Sequence, residues 1–249
     1  WVAYLSSPEE TGKYIVADFT VSSDVDGDES TPAELLAQFK SATDIKVYGN
    51  INSFNIAQLV HAMGVDQQST VAAADLKTVD MSGCIMNGAF DLSYFPVQGV
   101  TVYVDSEGKV ITTEGETSGT YDDSRNGKWL TLKNVKSFTF PKPDPAYTVL
   151  PAGFNKLLGS SNDPSHNNIE TLIIPEGWTE VPANFSGHNG SNNTAWQKLT
   201  TLKLANSIEK IGAYAFSGMH VAVLTMPYNI HRIDHHALTA SVRAHSLLL

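Results

Sequence analysis

The sequence predicts an α/β fold: a right-handed solenoid of stacked repeat units, each of which contributes a short parallel strand. Three observations predict it. One apolar pattern recurs seven times, its strand positions are two residues apart, and the match continues into the turn that follows the strand. The competing interpretation is an ordinary β-rich domain with alternating strands, and it leaves the match beyond the strands unexplained.

The repeat consists of an apolar residue, two others, an apolar residue, one other, an apolar residue, and a small or amide residue three positions later. Because the second and third apolar positions are two apart, both side chains point to one face of a strand. The final position turns the chain, and an Asn, Asp or Cys side chain there can satisfy a backbone group. The second apolar positions of the copies are Phe19, Ile45, Val79, Phe138, Leu172, Leu202 and Leu224.

This pattern is typical of leucine-rich repeats, in which a unit buries its apolar face only by stacking on its neighbours. The C-terminal copies also match one another in the residues that follow the strand. From that alignment we predict buried side chains at Trp178, Ile208, Ile211, Phe216, Ile230, Ile233 and Leu238.

The segment IEKIGAYAF, residues 208–216, resembles the BspA-type leucine-rich repeats of bacterial surface proteins. Residues 45–52 and 75–82 resemble the leading repeats of Bacteroidetes surface lipoproteins of this kind. The resemblance covers most of the chain except residues 95–130. It implies a cell-surface or secreted protein, with an outer-membrane lipid anchor upstream of Trp1, and it implies an architecture rather than an activity.

We expect a single leucine-rich repeat domain over residues 1–249. It divides into helix-backed repeats at 1–94, an inserted hairpin and loop at 95–133, and BspA-like repeats at 134–249. The last residues, 244–249, begin an eighth copy of the pattern. Because stacked repeats normally end in a polar cap, an open apolar end predicts self-association at the C-terminal side.

Two N-terminal helices are expected on the convex side. Thr31 and Glu34 form a capping box around Pro32, which suits the first position of a helix. In the second unit, apolar residues recur at helical spacing. These residues are Ile56, Leu59, Val60 and Met63.

The insertion predicts a β-hairpin followed by a loop. Residues 100–104 alternate, 105–108 form a turn that contains Gly108, and 109–113 return. Residues 114–128 and 188–193 are rich in Gly and polar residues and are expected to be mobile loops.

Composition and charge exclude several classes of function. The chain has 249 residues, 16 Lys and Arg against 26 Asp and Glu, and a formal net charge of −10. Such an acidic chain disfavours nucleic acid and anionic membrane surfaces as partners. The single cysteine, Cys84, excludes an internal disulfide framework and a Cys-rich zinc site.

The sequence offers no catalytic constellation, so we expect a non-enzymatic protein without cofactor or metal. It has no nucleophile elbow, Walker loop or dinucleotide-binding glycine pattern. Cys84 occupies a repeat position and is expected to be a buried turn residue rather than a nucleophile.

Two clusters of potential metal ligands are better explained without a metal. Residues 24–29, DVDGDE, begin like a calcium loop, but positions 6 and 12 are Glu29 and Leu35, so an acidic turn is favoured. His231, His235 and His236 fall between core positions of the repeat, which favours solvated histidines on an outer turn.

Aromatic residues in or beside the insertions form one candidate binding set: Trp129 and Trp196, with Tyr121 and Tyr147. If exposed, they suit sugar stacking or anchoring of a protein partner. The alternative is that they cover local apolar surface under long loops.

The residues between the paired strand positions form a second candidate set on the concave face. That surface commonly binds partners in solenoids, although a mixed, polar row also suits a merely soluble surface. The hypothesis is binding of a host or matrix protein or a glycan; the alternative is a glycan-capturing accessory lipoprotein of a polysaccharide-uptake system, which would use Trp129 and Trp196. The row comprises Thr20, Lys46, Asp80, Thr139, Ile173, Lys203 and Thr225.

Overall fold

A computed structural model gives the fold of the following parts of the chain: residues 42–53, 55–56, 59, 76–91, 103–104, 110–111, 120–121, 132, 134–152, 154, 158, 168–186, 196–239 and 247–248. The strands in these parts are β1 (Asp44–Ile51), β2 (Thr78–Met86), β3 (Tyr103–Val104), β4 (Val110–Ile111), β5 (Thr120–Tyr121), β6 (Ser137–Thr139), β7 (Lys142–Pro143), β8 (Thr171–Ile174), β9 (Glu180–Val181), β10 (Thr201–Leu204), β11 (Lys210–Ile211), β12 (Val223–Thr225), β13 (Arg232–Ile233) and β14 (Leu247–Leu248).

The largest sheet is parallel, and its strands follow one another in space in the order of the chain. Its order is β1-β2-β6-β8-β10-β12-β14, and β7 pairs with the far end of β2. We call it the first sheet. Every strand of this sheet except β7 contains the second apolar position of a copy of the pattern, so the repeat pattern correctly located these strands.

A second parallel sheet runs beside the first and contains β9, β11 and β13. Each of its strands begins nine residues after a strand of the first sheet: Thr171 to Glu180, Thr201 to Lys210, and Val223 to Arg232. Each of the three units that begin with β8, β10 and β12, a unit being the chain from one first-sheet strand to the next, therefore gives one strand to each of these two sheets.

Backbone carbonyls at the start of the strands join neighbouring units. The carbonyl of Lys136 accepts hydrogen bonds from the amides of Glu170 (2.7 Å) and Thr171 (2.9 Å). The Glu170 carbonyl in turn accepts from Thr200 (2.9 Å) and Thr201 (3.0 Å) of the following unit. The second sheet repeats the arrangement, since the Thr179 carbonyl accepts from Glu209 and Lys210.

The turn after each second-sheet strand forms a third inter-unit ladder. The amide of Ser186 donates to the Ala215 carbonyl (2.8 Å), and the amide of Phe216 donates to the Ala237 carbonyl (2.9 Å). Equivalent residues in these turns adopt the left-handed backbone conformation that side chains seldom occupy. They are Asn184, Tyr214 and His236, with φ of 57°, 55° and 56°.

The predicted core is confirmed in the interior of the stack and fails at its end. Trp178, Ile208, Ile211 and Phe216 are fully buried. Ile230 and Leu238 pack partly buried against the core. The prediction for Ile233 is wrong, because 47% of it is exposed. It lies on β13, at the end of the second sheet, where no strand among the described residues pairs with its outer edge.

The N-terminal units have longer strands. Helical backbone is present at Ser53, Asn55, Ile56 and Leu59, and the last two side chains are buried as expected. Asn52 and Asn55 cap this segment reciprocally, each side-chain oxygen accepting the other residue's amide hydrogen (3.1 and 2.9 Å). The prediction of two convex-side helices is nevertheless not confirmed, since the Thr31 capping box lies outside the described residues and no helix is described from end to end.

The insertion contains the expected hairpin and one unexpected strand. β3 pairs antiparallel with β4, as residues 100–113 predict. β5 also pairs antiparallel with β3, so the prediction of a loop through residues 120–121 is wrong. Residues 120–121 pair with β3 through the backbone even though the surrounding sequence is rich in glycine. The expected loop at 188–193 lies outside the described residues.

In the described ranges the chain thus has two parallel sheets, one small antiparallel sheet and little helix, which is consistent with a repeat fold of α/β type. None of the helices described is long and apolar enough to cross a membrane.

We expect Gly212→Ala to destabilise the stack. A Cβ at this position would lie 2.4 Å from the backbone nitrogen of Ala183 and 2.8 Å from the carbonyl carbon of Pro182, both in the adjacent unit. Because backbone cannot rotate away as a side chain can, the overpacking should cost about 1–3 kcal/mol of unfolding free energy. Chemical denaturation followed by circular dichroism measures it. The exposed Ala222→Ser serves as control, and equal midpoints for the two variants would contradict the close approach.

Candidate binding surface

The residues expected to line the binding surface form one row across the first sheet. Lys46 pairs with Asp80, Asp80 with Thr139, Thr139 with Ile173, and Ile173 with Lys203. Thr225 continues the row, because it follows Leu224, which pairs with Leu202. We call these residues the first-sheet row. The repeat pattern therefore predicted their register correctly, while Thr20 lies outside the described residues.

Members of the row differ in accessibility. Lys46, Lys203 and Thr225 are exposed, whereas Asp80 and Ile173 are half-buried. The expectation that Thr139 points out to solvent as part of this surface is wrong, since only 8% of it is exposed. It is a short side chain in mid-sheet between two longer neighbours, Asp80 and Ile173, so little of it reaches the surface.

The charged residues among the described members of the row are two lysines, Lys46 and Lys203, and one aspartate, Asp80. Lys46 lies directly opposite Asp80, and their charges offset each other. Oδ1 of Asp80 also accepts a hydrogen bond from the amide of Ser82 (2.9 Å), which fixes the carboxylate within its strand. Such a surface suits a polar ligand with little charge.

A second group of exposed residues adjoins the row on β1 and β2, and the sequence reasoning missed it. Tyr48 is 40% exposed and Ile85 is 43% exposed, and both lie in the first sheet. The sequence prediction included only one outward residue from each unit, and Tyr48 and Ile85 are not at that position. The available signal was the alternation of apolar and polar residues after Lys46, which runs on through Tyr48 and Asn50.

The aromatic candidates divide. The hypothesis that Trp196 is an exposed binding residue is wrong. Trp196 is fully buried, and its Nε1 donates to the carbonyl of Ser186 (3.0 Å), so it offers no face to a ligand. Like Trp178, whose Nε1 donates to the carbonyl of Pro141 (2.8 Å), it fills core volume while its one polar atom is satisfied. Tyr147 is 48% exposed. Trp129 lies outside the described residues, and of Tyr121 only the strand position is described.

The histidine cluster is exposed on the outer turn, as expected. The rings of His236 and Tyr214 stack with centroids 5.0 Å apart. Nearby, Nε of Arg232 donates to Oδ1 of Asp234 (2.7 Å), and this hydrogen bond holds the pKa of Asp234 below its usual value. No group of three or more potential ligands poised for a metal occurs in the parts of the chain described. The acidic segment 24–29 lies outside them.

Cys84 is buried, as expected, but the prediction of a turn there is wrong, because Cys84 lies within β2 and pairs with Gly49 of β1. Burial, with a smaller contribution from the negative charge of Asp80, raises the pKa of its thiol to about 12. The nucleophilic form of cysteine is the thiolate, and here the neutral thiol is strongly favoured. Cys84 therefore acts as a core residue.

Polar side chains at the turns are engaged between units. The carboxylate of Glu176 accepts hydrogen bonds from the amides of Asn206 and Ser207 (3.0 Å each). Oγ of Ser207 accepts from the amide of Gly177 (3.0 Å) and donates to the carbonyl of Trp178 (2.7 Å). This confirms at Ser207 the turn role predicted for the last position of the repeat, and it gives these groups a structural use.

No protein-family model, curated protein or solved structure matches this chain. The resemblance to BspA-type repeats therefore stays a prediction.

We expect the emission of Trp178 and Trp196 to resist quenching by iodide. A Trp1→Phe/Trp129→Phe double variant leaves only these two indoles, which are fully buried. Their emission should be blue-shifted and nearly insensitive to iodide until guanidinium unfolds the chain. Substantial iodide quenching of the folded variant would show that Trp196 is accessible after all.

Cys84 should not react with Ellman's reagent in the folded protein at mildly alkaline pH. Its pKa of about 12 keeps the thiolate scarce, and the buried site excludes the reagent. In guanidinium the thiol regains its ordinary pKa and should react completely. Glutathione under the same conditions is the control, and rapid stoichiometric reaction without denaturant is the contrary result.

Proposed function

We propose that this chain is a right-handed solenoid of leucine-rich-repeat type that binds a host or matrix protein or a glycan through the concave face of the first sheet. The observation that supports this best is the first-sheet row. Its members lie in register across neighbouring strands and expose Lys46, Lys203 and Thr225 on a continuous surface.

The solenoid itself is supported by the way the units connect. Parallel neighbours in one sheet need crossover connections, and such connections are right-handed in nearly all known cases. The crossovers that follow β8, β10 and β12 each contain a second-sheet strand at a constant nine-residue offset, as between Thr171 and Glu180. Stacked units of this kind generate extended surfaces whose side chains are set by the register.

The proposal is binding rather than catalysis. Cys84 is held as a neutral thiol, and Asp234 is hydrogen-bonded to Arg232, so neither is prepared to act as nucleophile or base. The resemblance to surface proteins carries the location: the cell surface or the medium, with a lipid anchor upstream of Trp1. Self-association at the C-terminal end is supported by the exposed Ile233 of β13.

A second candidate is a glycan-capturing accessory lipoprotein of a polysaccharide-uptake system. Burial of Trp196 removes one of the two tryptophans on which that hypothesis relied. Exposure of Tyr48 beside the first-sheet row favours it instead, because an exposed aromatic ring is a usual contact for a sugar.

Changes in the first-sheet row should weaken ligand binding without loss of stability. After an array of glycans and extracellular-matrix proteins has supplied a ligand, Lys46→Ala, Asp80→Asn and Lys203→Ala should each raise its Kd by roughly three- to tenfold. Asparagine at position 80 retains an oxygen that can accept the Ser82 amide. Calorimetric titration and thermal melts measure the two effects.

Arg232→Ala is the matched control, because Arg232 is an exposed cation on the second sheet. It should leave the Kd unchanged. A ligand that binds all four variants as tightly as it binds the wild type would rule out the first-sheet row as its site.

A further inference from the structure

The outward side of β1 and β2 bears Tyr48 and Gly83 as directly opposed residues, followed by Asn50 and Ile85. We infer that Tyr48 is a stacking platform for a pyranose ring of a neutral oligosaccharide, with Asn50 and Asp80 at its border as hydrogen-bonding groups. The inference rests on the proposed function and assigns a ligand class to the β1–β2 end of that surface.

Strand alternation and a register shift bring these residues together on one side. Lys46 and Tyr48 are exposed while Val47 between them is buried, and Gly83 and Ile85 are exposed while Cys84 between them is buried. The pairing of β1 with β2 shifts between Lys46 and Tyr48, so that Gly83 rather than Ser82 lies opposite Tyr48.

The geometry at Gly83 shows how the tyrosine ring lies. A Cβ on Gly83 would be 2.4 Å from Cδ1 of Tyr48, 2.8 Å from Cε1 and 2.9 Å from Cγ. Cε1 and Cγ are only slightly farther from this Cβ position than Cδ1 is, so the Cβ position lies above the face of the ring. If it lay beyond the edge of the ring, Cε1 and Cγ would be much farther from it. One face of Tyr48 therefore covers the glycine backbone, and the opposite face is turned away from the sheet.

This arrangement prepares the ring for stacking. Glycine is the residue that leaves room for the ring to lie on the strand, and the ring is 40% exposed in that position. A ring already held against the sheet loses little rotamer freedom when a ligand stacks on it. The C–H face of a pyranose is a flat apolar surface of matching size.

The surroundings favour a neutral sugar over a protein partner. Lys46 opposes Asp80, so their charges offset, and the exposed Asn50 adds an amide that both donates and accepts. Ile85, which is 43% exposed, extends the apolar area beside the ring. A ring that lies flat against a sheet does not project as an anchor to fill a partner's pocket, which is how aromatic residues usually dominate protein interfaces.

The test titrates the full chain with cellohexaose, laminarihexaose and mannohexaose at concentrations up to millimolar, by calorimetry and by saturation-transfer NMR. At least one of them should bind. Tyr48→Leu still covers Gly83 but has no aromatic face, and it should weaken that binding by roughly tenfold. Tyr48→Phe retains the face and should keep most of the affinity. Tyr228→Ala, at a tyrosine that is 89% exposed outside the strands, should change nothing.

The outcomes separate this inference from the proposed function. If none of the three sugars binds, or if Tyr48→Leu binds as tightly as the wild type, the platform is wrong. If a protein ligand from the array depends on Lys46 and Lys203 while the sugars fail to bind, the proposed function stands without it. If a sugar binds and requires Tyr48 but is unaffected by Lys46→Ala and Lys203→Ala, the platform stands and the row does not.

Discussion

The fold depends on one backbone interaction that recurs at several junctions between units: a carbonyl at the start of a strand accepts two amide hydrogens from the next unit. The Lys136 and Glu170 carbonyls do so in the first sheet and the Thr179 carbonyl does so in the second. These bonds require little of the side chains, so units of uneven length stack in register. Side-chain pairs such as Lys136–Glu170, which is about half exposed, contribute far less.

Fixed register converts a pattern in the chain into a surface. The backbone pairing alone places Lys46 and Asp80 at directly opposed positions on neighbouring strands. The same stacking uses up the polar groups at the turns, as with Glu176 and Ser207. The proposed function and the tyrosine platform both lie on the outward side of the first sheet, where Lys46, Tyr48 and Lys203 are exposed.

Much of the fold could be predicted from the sequence because each unit obeys the same constraint. The apolar spacing located Leu172 and Leu202 as paired core residues, and the hairpin at residues 100–113 followed from its turn. The failures share a cause, which is dependence on neighbours that a single unit does not reveal. Thr139 is shielded by adjacent strands, and Ile233 has no described strand on its outer side. Trp196 is packed inward beside an insertion whose residues carry no periodic signal. The exposure of Tyr48 follows from the alternation along β1, but the glycine opposite it is set by a shift in register that the sequence does not reveal.

The orientation of the carbonyl ladders has a mechanical consequence. Hydrogen bonds between parallel strands run across the strands, and therefore along the direction in which the units are stacked. A pull along that direction would load the bonds of one junction at a time, as in opening a zipper, rather than sharing the force among all of them as in shear. Under tension this chain would yield unit by unit, lengthening in steps while the remaining units stay folded.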